Sequence, residues 1–206
     1  MRRELVAIVV LAAGCAAPSG QPASGFITRD VEAAYIPLEA SSWIFFQGDA
    51  AAVVLGDGIA VTNAHTANLV DDKTIIGQST DYDLLFFRTT RPARALPTDA
   101  PRVGERVVAY GQDSHGTLRR ADGVVAALDA PVKPECDTCK LQSAFTFVGN
   151  AGPGFSGGPV LDAASGRLIG IIFGYTDNRD GRTIYAYPIA RVLTELANVQ
   201  RQRDPD

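Results

Sequence analysis

The stretch GPGFSGGPV, residues 152–160, sets one hydroxyl, that of Ser156, among four glycines and two prolines. Such crowding of glycine has a use in acyl transfer. An oxyanion is stabilised by backbone N–H groups that converge about 3 Å from one point, and the turn that aims them needs dihedrals costly for residues with a Cβ. Ser156 is the candidate nucleophile. Its own N–H and that of Gly154 are the candidate oxyanion donors, since Pro153 has no N–H to give. A serine hydroxyl is a weak nucleophile and needs a base held in place by a third group. Two histidines are on offer. His115 lies in the polar turn QDSHGT and reads as a solvated loop residue. His65 ends GIAVTNAH, where an apolar strand delivers its last side chain to the rim of a core, so it is the candidate base. For the orienting carboxylate, Asp83 in STDYDLLFFR stands immediately before an apolar run. Asp81, two residues away and on the same side of an extended strand, is left open by spacing alone.

The elements that must position these groups are short apolar runs broken by Gly, Pro, Asn and Asp: SWIFF, AAAVVLGDGIAVTNA, KTIIG, DLLFF, ERVVAYG, DGVVAAL, AFTFV, GPVLD, RLIGIIFGY and RTIYAY. Their spacing predicts strands, with hairpin turns at GDG, residues 56–58, and at DAASGR, residues 162–167. The fold class expected is therefore all-β, a sandwich or barrel rather than alternating strand and helix. One helix is expected at about residues 188–198, with Pro188 in its first turn and Ile189, Val192, Leu193 and Leu196 on one face. The segment at 91–105, with three prolines and no alternation, reads as an internal linker. It divides a lobe of about 26–95 from a second of about 100–190.

The N-terminus, MRRELVAIVVLAAGC, has two arginines, a nine-residue apolar run at 5–13 and small residues before Cys15. That is the pattern of a bacterial export signal, and the run is far below the roughly 20 residues needed to span a bilayer as a helix. LAAGC resembles the lipobox of bacterial lipoproteins, which makes residues 1–15 a signal peptide, Cys15 the acylated first mature residue and 16–25 a flexible tether. Ala12 stands where most lipoboxes have Leu. The location expected is the cell envelope, anchored facing the periplasm, with plain secretion as the alternative. Cys136 and Cys139 in PECDTCK remain, and an exported chain favours a disulfide between them. A zinc site needs about four ligands, so no metal is expected. A net charge of −4 without a basic stripe gives a nucleic-acid partner no electrostatic support.

Taken together these residues resemble the trypsin-like serine proteases, closest to the compact bacterial branch that includes the high-temperature-requirement proteases. TNAH at 62–65 is similar to the histidine motif, DLLFF from Asp83 to the acid and its strand, and GFSGGPV at 154–160 to the nucleophile motif. Their order, His, Asp, Ser, is that of the chymotrypsin fold. The likeness runs over about residues 40–197, within a domain of 26–197. It implies two antiparallel β-barrels of the chymotrypsin type, the first abbreviated because His65 and Asp83 are only 18 residues apart, with the site in the cleft between them. It also implies a serine endopeptidase acting on protein or peptide substrates with no cofactor. By the same resemblance Asn150 approaches the floor of the specificity pocket and Ile172, Phe173 and Gly174 line its wall. Phe155 replaces the acid that in digestive relatives pairs with a newly cut N-terminus. No residues remain past the helix for a peptide-binding PDZ domain, and oligomeric state is left open. The rival expectation is an inactive homologue used as an envelope binding module. An esterase is disfavoured: Gly154, Ser156 and Gly158 satisfy GxSxG, but no histidine follows them.

Overall fold

The computed structural model describes residues 19–23, 29–39, 49–132, 142–179 and 181–203. In chain order the strands and helices are β1 (Gln21–Pro22), α1 (Arg29–Ala34), β2 (Tyr35–Glu39), β3 (Asp49–Gly56), β4 (Ile59–Thr62), β5 (Ile75–Gln78), β6 (Leu85–Arg88), β7 (Arg106–Gln112), β8 (Leu118–Val132), β9 (Gln142–Gly149), β10 (Pro159–Asp162), β11 (Leu168–Asn178), β12 (Gly181–Pro188) and α2 (Ile189–Arg203). The first sheet runs β2-β3-β4-β6-β5, and all of its pairings are antiparallel. In the second, β8-β7-β10-β11-β12-β9 is closed into a ring by the β8–β9 pairing, with β1 added alongside β8. This is the expected all-β architecture of the chymotrypsin type, in two sheets. The first sheet stays open among the described residues, with β2 and β5 at its edges. The expected strand at SWIFF lies outside the described residues.

Strands buried on both faces explain why the apolar runs are continuous rather than alternating. Leu84 and Phe86 join the core shared by both sheets, whereas Leu85 and Phe87 point into a separate cluster with Leu38, Ala50, Ala52, Ala60 and Val70. The same division recurs in β7. There Val108 and Tyr110 face the shared core, and Val107 and Ala109 face the interior of the second barrel with Phe145, Phe147 and Phe155.

The 18-residue interval between His65 and Asp83 is filled by two 3₁₀ turns, Ala64–Leu69 and Asp72–Thr74, and by β5, which pairs with β6. A strand therefore does fit in the interval. The turns at 56–58 and 162–167 join β3 to β4 and β10 to β11 as expected. The linker at 91–105 carries one bridge, Thr98 to Leu168. Helix α2 extends to Arg203 and packs against β11, β12 and the distant β5, placing Val199 in the shared core.

One stretch departs from expectation. Within the span read as a tether, Gln21 and Pro22 pair with Arg120 and Arg119, and Ala23 is buried in the shared core. Cys15, Cys136 and Cys139 lie outside the described residues. Among the described residues no helix is long and apolar enough to cross a membrane, and no group of three or more His, Cys, Asp or Glu side chains could hold a metal ion.

Candidate active site

Strand β4 ends at Thr62, and Asn63 keeps an extended backbone before the chain tightens into the 3₁₀ turn that carries His65. Hydroxyls hold this corner. Thr62 Oγ1 donates to Ala51 O at 2.8 Å and lies 2.9 Å from Thr66 Oγ1, which donates to Asn63 O at 2.8 Å. The side chain of His65 is thereby set at the end of a rigid strand.

Asp83 meets His65 through both oxygens. Oδ1 accepts the His65 backbone N–H at 2.9 Å, and Oδ2 lies 2.6 Å from the ring Nδ1. An ionised carboxylate only accepts, so in the neutral imidazole Nδ1 carries the hydrogen and Nε2 keeps its lone pair. The His65 side chain is 49% exposed and that of Asp83 22%, so the imidazole is reachable while its partner is largely sheltered.

Asp83 is fixed in turn by its own backbone. Its carbonyl accepts from Asn63 Nδ2 at 3.0 Å, and its N–H donates to Tyr187 Oη at 3.3 Å. Tyr187 donates to Gln142 Oε1 at 2.6 Å, stacks on Phe173 with centroids 4.0 Å apart, and meets Tyr82 edge-on at 5.3 Å. Burial pushes the Tyr187 phenol well above its ordinary value, so it stays protonated and keeps donating. Asp81 faces elsewhere. Its carbonyl accepts from Gln142 Nε2, its N–H donates to Ser79 Oγ at 3.2 Å, and it lines a cleft with Glu195, Asn198 and Arg201 of α2. The alternative that spacing left open is thus divided by geometry, because the carboxylate on His65 is that of Asp83.

Ser156 lies between β9 and β10. Upstream of it, Phe155 N donates to Gly152 O at 3.0 Å across Pro153 and Gly154, and Gly154 has φ +86°. Pro at the second position and a glycine of positive φ at the third are the marks of a type II turn. A Cβ on Gly154 would also overlap the carbonyl oxygen of Gln112. The turn leaves the N–H groups of Gly154 and Ser156 without partners among the described residues, which is what an oxyanion site requires.

The loop is seated against both sheets. Ser156 O accepts from Ala51 N at 2.8 Å, Gly157 N donates to Ile172 O at 2.8 Å, and Gln112 N donates to Gly154 O at 3.0 Å. Ala51 is the residue whose own carbonyl holds Thr62, three residues before His65. The Ser156 loop and the histidine corner therefore share one strand as their support. Ser156 Oγ has no hydrogen-bond partner among the described residues, so the Ser156–His65 bond is not formed here. Catalytic hydrogen bonds are often long until substrate is bound.

The four residues expected around a substrate pocket are placed differently from one another. Ile172 is buried, with both backbone groups bonded to the Ser156 loop. Phe173 is the extra residue where the β11–β12 register shifts, and it supports Tyr187; beside Gly174 lies open space. Asn150 is exposed and follows the Gly149–Arg182 pair, whereas Ile172 pairs with Ala186, about 13 Å further along β12. His115 is exposed, as its loop reading expected. Asn63, Gln142 and Tyr187 were missed in the sequence. Their only signal was polarity inside otherwise apolar strands or at a strand end.

The sequence model for the trypsin-like peptidase domain matches residues 45–171, more than half of the chain. No curated protein matches the chain by sequence. Among solved structures the chain is similar to Rv3671c from Mycobacterium tuberculosis H37Rv in an inactive form. The TM-score is 0.69 at 16% identity, over 92% of this chain and 99% of that one. It is also similar to the protease domain of MamO from Magnetospirillum magneticum, with a TM-score of 0.62 at 17% identity over 81% of this chain and 97% of that one. A third is the HtrA-type protease AlgW with a tripeptide, with a TM-score of 0.65 at 19% identity over 85% and 62%. At these identities the structural likeness is one of fold. Because the family match takes in the paired His65 and Asp83 and the Ser156 loop alike, this chain belongs to the trypsin-like serine peptidases, a family of hydrolases.

Proposed function

We propose that the protein is a serine endopeptidase working through Ser156, His65 and Asp83. The observation that carries this reading is the two-point grip of Asp83 on His65, beside a loop whose Gly154 and Ser156 N–H groups are left unpaired. Ser156 Oγ attacks a peptide carbonyl carbon as His65 Nε2 takes its proton, and the carbonyl electron pair moves to oxygen between the two N–H groups. Collapse expels the amine, which leaves with the proton from Nε2, and an acyl-enzyme remains. Water then enters with His65 again as base, and the acid product and Ser156 are released. Asp83 stabilises the imidazolium formed in each half and stays ionised.

The substrate is a protein or peptide lying along the open side of β11 at Gly174. Export and acylation at Cys15, in LAAGC, would hold the enzyme at the bacterial envelope facing the periplasm, and an oxidising compartment suits a Cys136–Cys139 disulfide. Two assays test this. Unfolded casein beside a small ester, each with wild type and Ser156→Ala, should show cleavage of both by wild type only. Cleavage of the ester alone would indicate an esterase, and cleavage of neither would indicate a binding module. Incorporation of labelled palmitate that is lost in Cys15→Ser tests the anchor.

A further inference from the structure

The loop that carries Gly154 and Ser156 is held on its far side by residues 19–23. Gly20 N donates to Asn150 O at 2.9 Å, and Ala23 N donates to Leu118 O at 3.1 Å. Arg119 binds the segment's carbonyls, Nε to Ser19 O at 3.2 Å and Nη2 to Gly20 O at 2.8 Å. Arg182 bridges segment and loop. Its Nη1 donates to Ser19 Oγ at 3.0 Å and to Ala151 O at 3.2 Å, while Asp177 at 2.7 Å and the Tyr175 ring at 4.8 Å hold the guanidinium. Contact is close enough to exclude side chains. A Cβ on Gly20, whose φ is +66°, would lie 2.8 Å from Phe155 Cζ and 2.7 Å from Arg120 O, and one on Gly152 would overlap both Arg182 and Ser19. Phe155, between the two oxyanion donors in sequence, is fully buried beneath.

A peptide N–H aims at a fixed point only while its turn is held, and the Gly152–Phe155 turn contains one internal hydrogen bond. We propose that residues 19–23 are a positioning element for the reaction: docked through Gly20, Arg119 and the Arg182 bridge, they hold the 150–155 loop so that the Gly154 N–H faces the oxyanion. A stretch of chain bonded through its backbone does this with no charge at Phe155. The inference rests on the reading of Ser156 as nucleophile.

The test uses the full chain with Gly20→Val, which forces the segment off Phe155, and with Ser19→Ala, which removes only one bond to Arg182. Three quantities are measured: the rate of Ser156 phosphonylation by a fluorophosphonate, kcat and KM on a small ester, and hydrogen exchange at the Ala23 and 150–155 amides. Gly20→Val should lose protection at Ala23 and fall on the order of 100-fold in phosphonylation rate and kcat, with KM within about twofold. Ser19→Ala should lower kcat about threefold, and Ser19→Thr, which keeps the hydroxyl, should restore it. If Gly20→Val does not fold, the Ser19 pair decides, and equal kcat in Ser19→Ala and wild type overturns the proposal. So does a wild-type phosphonylation rate in a Gly20→Val chain whose Ala23 amide is unprotected. A wild-type chain that stays protected at Ala23 yet is never labelled at Ser156 would instead remove the nucleophile reading, and this inference with it.

Discussion

The carbonyl oxygen of Ser156 accepts the backbone N–H of Ala51 at 2.8 Å, so the loop of one sheet is stitched to the strand that anchors the other's histidine. Gly157 makes that seam possible. With φ +77°, it passes so close that a Cβ would overlap Ala51 O and Thr62 Oγ1. Gly157→Ala is expected to cost about 1–3 kcal/mol in urea unfolding, and to remove activity along with it. Wild-type stability in that variant would show that the seam yields easily.

Asp83 and Asp81 are separable by kinetics. Asp83→Asn keeps the shape but replaces an oxygen that accepts from Nδ1, so the wrong imidazole tautomer is favoured and kcat should fall on the order of 10⁴-fold. Asp81→Asn leaves the His65 contact untouched and should stay within about threefold of wild type. Steady-state ester hydrolysis reads both, and the reverse ranking would reassign the acid.

Tyr187→Phe deletes the hydroxyl between Gln142 and the Asp83 N–H. Leaving those buried groups unpaired should destabilise the protein by about 1–3 kcal/mol. The same phenol gives the wild type an alkaline signature. Its folded pKa is raised above the ordinary 10.0 by burial, so above pH 10 the unfolded chain loses a proton that the folded chain keeps. Its contribution is therefore complete below pH 10 and is lost as pH climbs from there toward the folded value. Thermal midpoints from pH 9 upward should fall less steeply in Tyr187→Phe than in wild type.

Asp162 gives the opposite sign. The Ser165 hydroxyl, together with the Ala164 N–H, holds its carboxyl below the ordinary 3.8 at the turn between β10 and β11. Its stabilisation is present above pH 3.8 and disappears as pH falls through the depressed folded value. The stability gap between wild type and Asp162→Ala should be constant near neutrality and narrow in acid. A gap that stayed constant in acid would mean that the cap acts without its charge.

Much of this site could be read from residue order because each key side chain sits beside a local signal: glycines around Ser156, a strand end at His65, an apolar run after Asp83. What could not be read depends on partners far away in the chain. Residues 19–23, SGQPA, have no periodicity, and their pairing strand begins at Leu118. Tyr187 sits in TIYAY, an apolar run that marks a strand but says nothing of the hydroxyl beneath Asp83. The strand between His65 and Asp83 was legible as KTIIG, although β5 has only four residues and a register shift.

Val199 of α2 lies against Gly77, so a residue near the C-terminal end of the chain completes a core begun more than a hundred residues earlier. During synthesis the N-terminal sheet must wait, at ordinary elongation rates roughly ten seconds beyond the emergence of β6, before its last neighbour arrives. Nascent chains are thus exposed to chaperones and to premature digestion for that interval, and a ribosome stalled ahead of residue 199 would hold the first half of the molecule in an unfinished state.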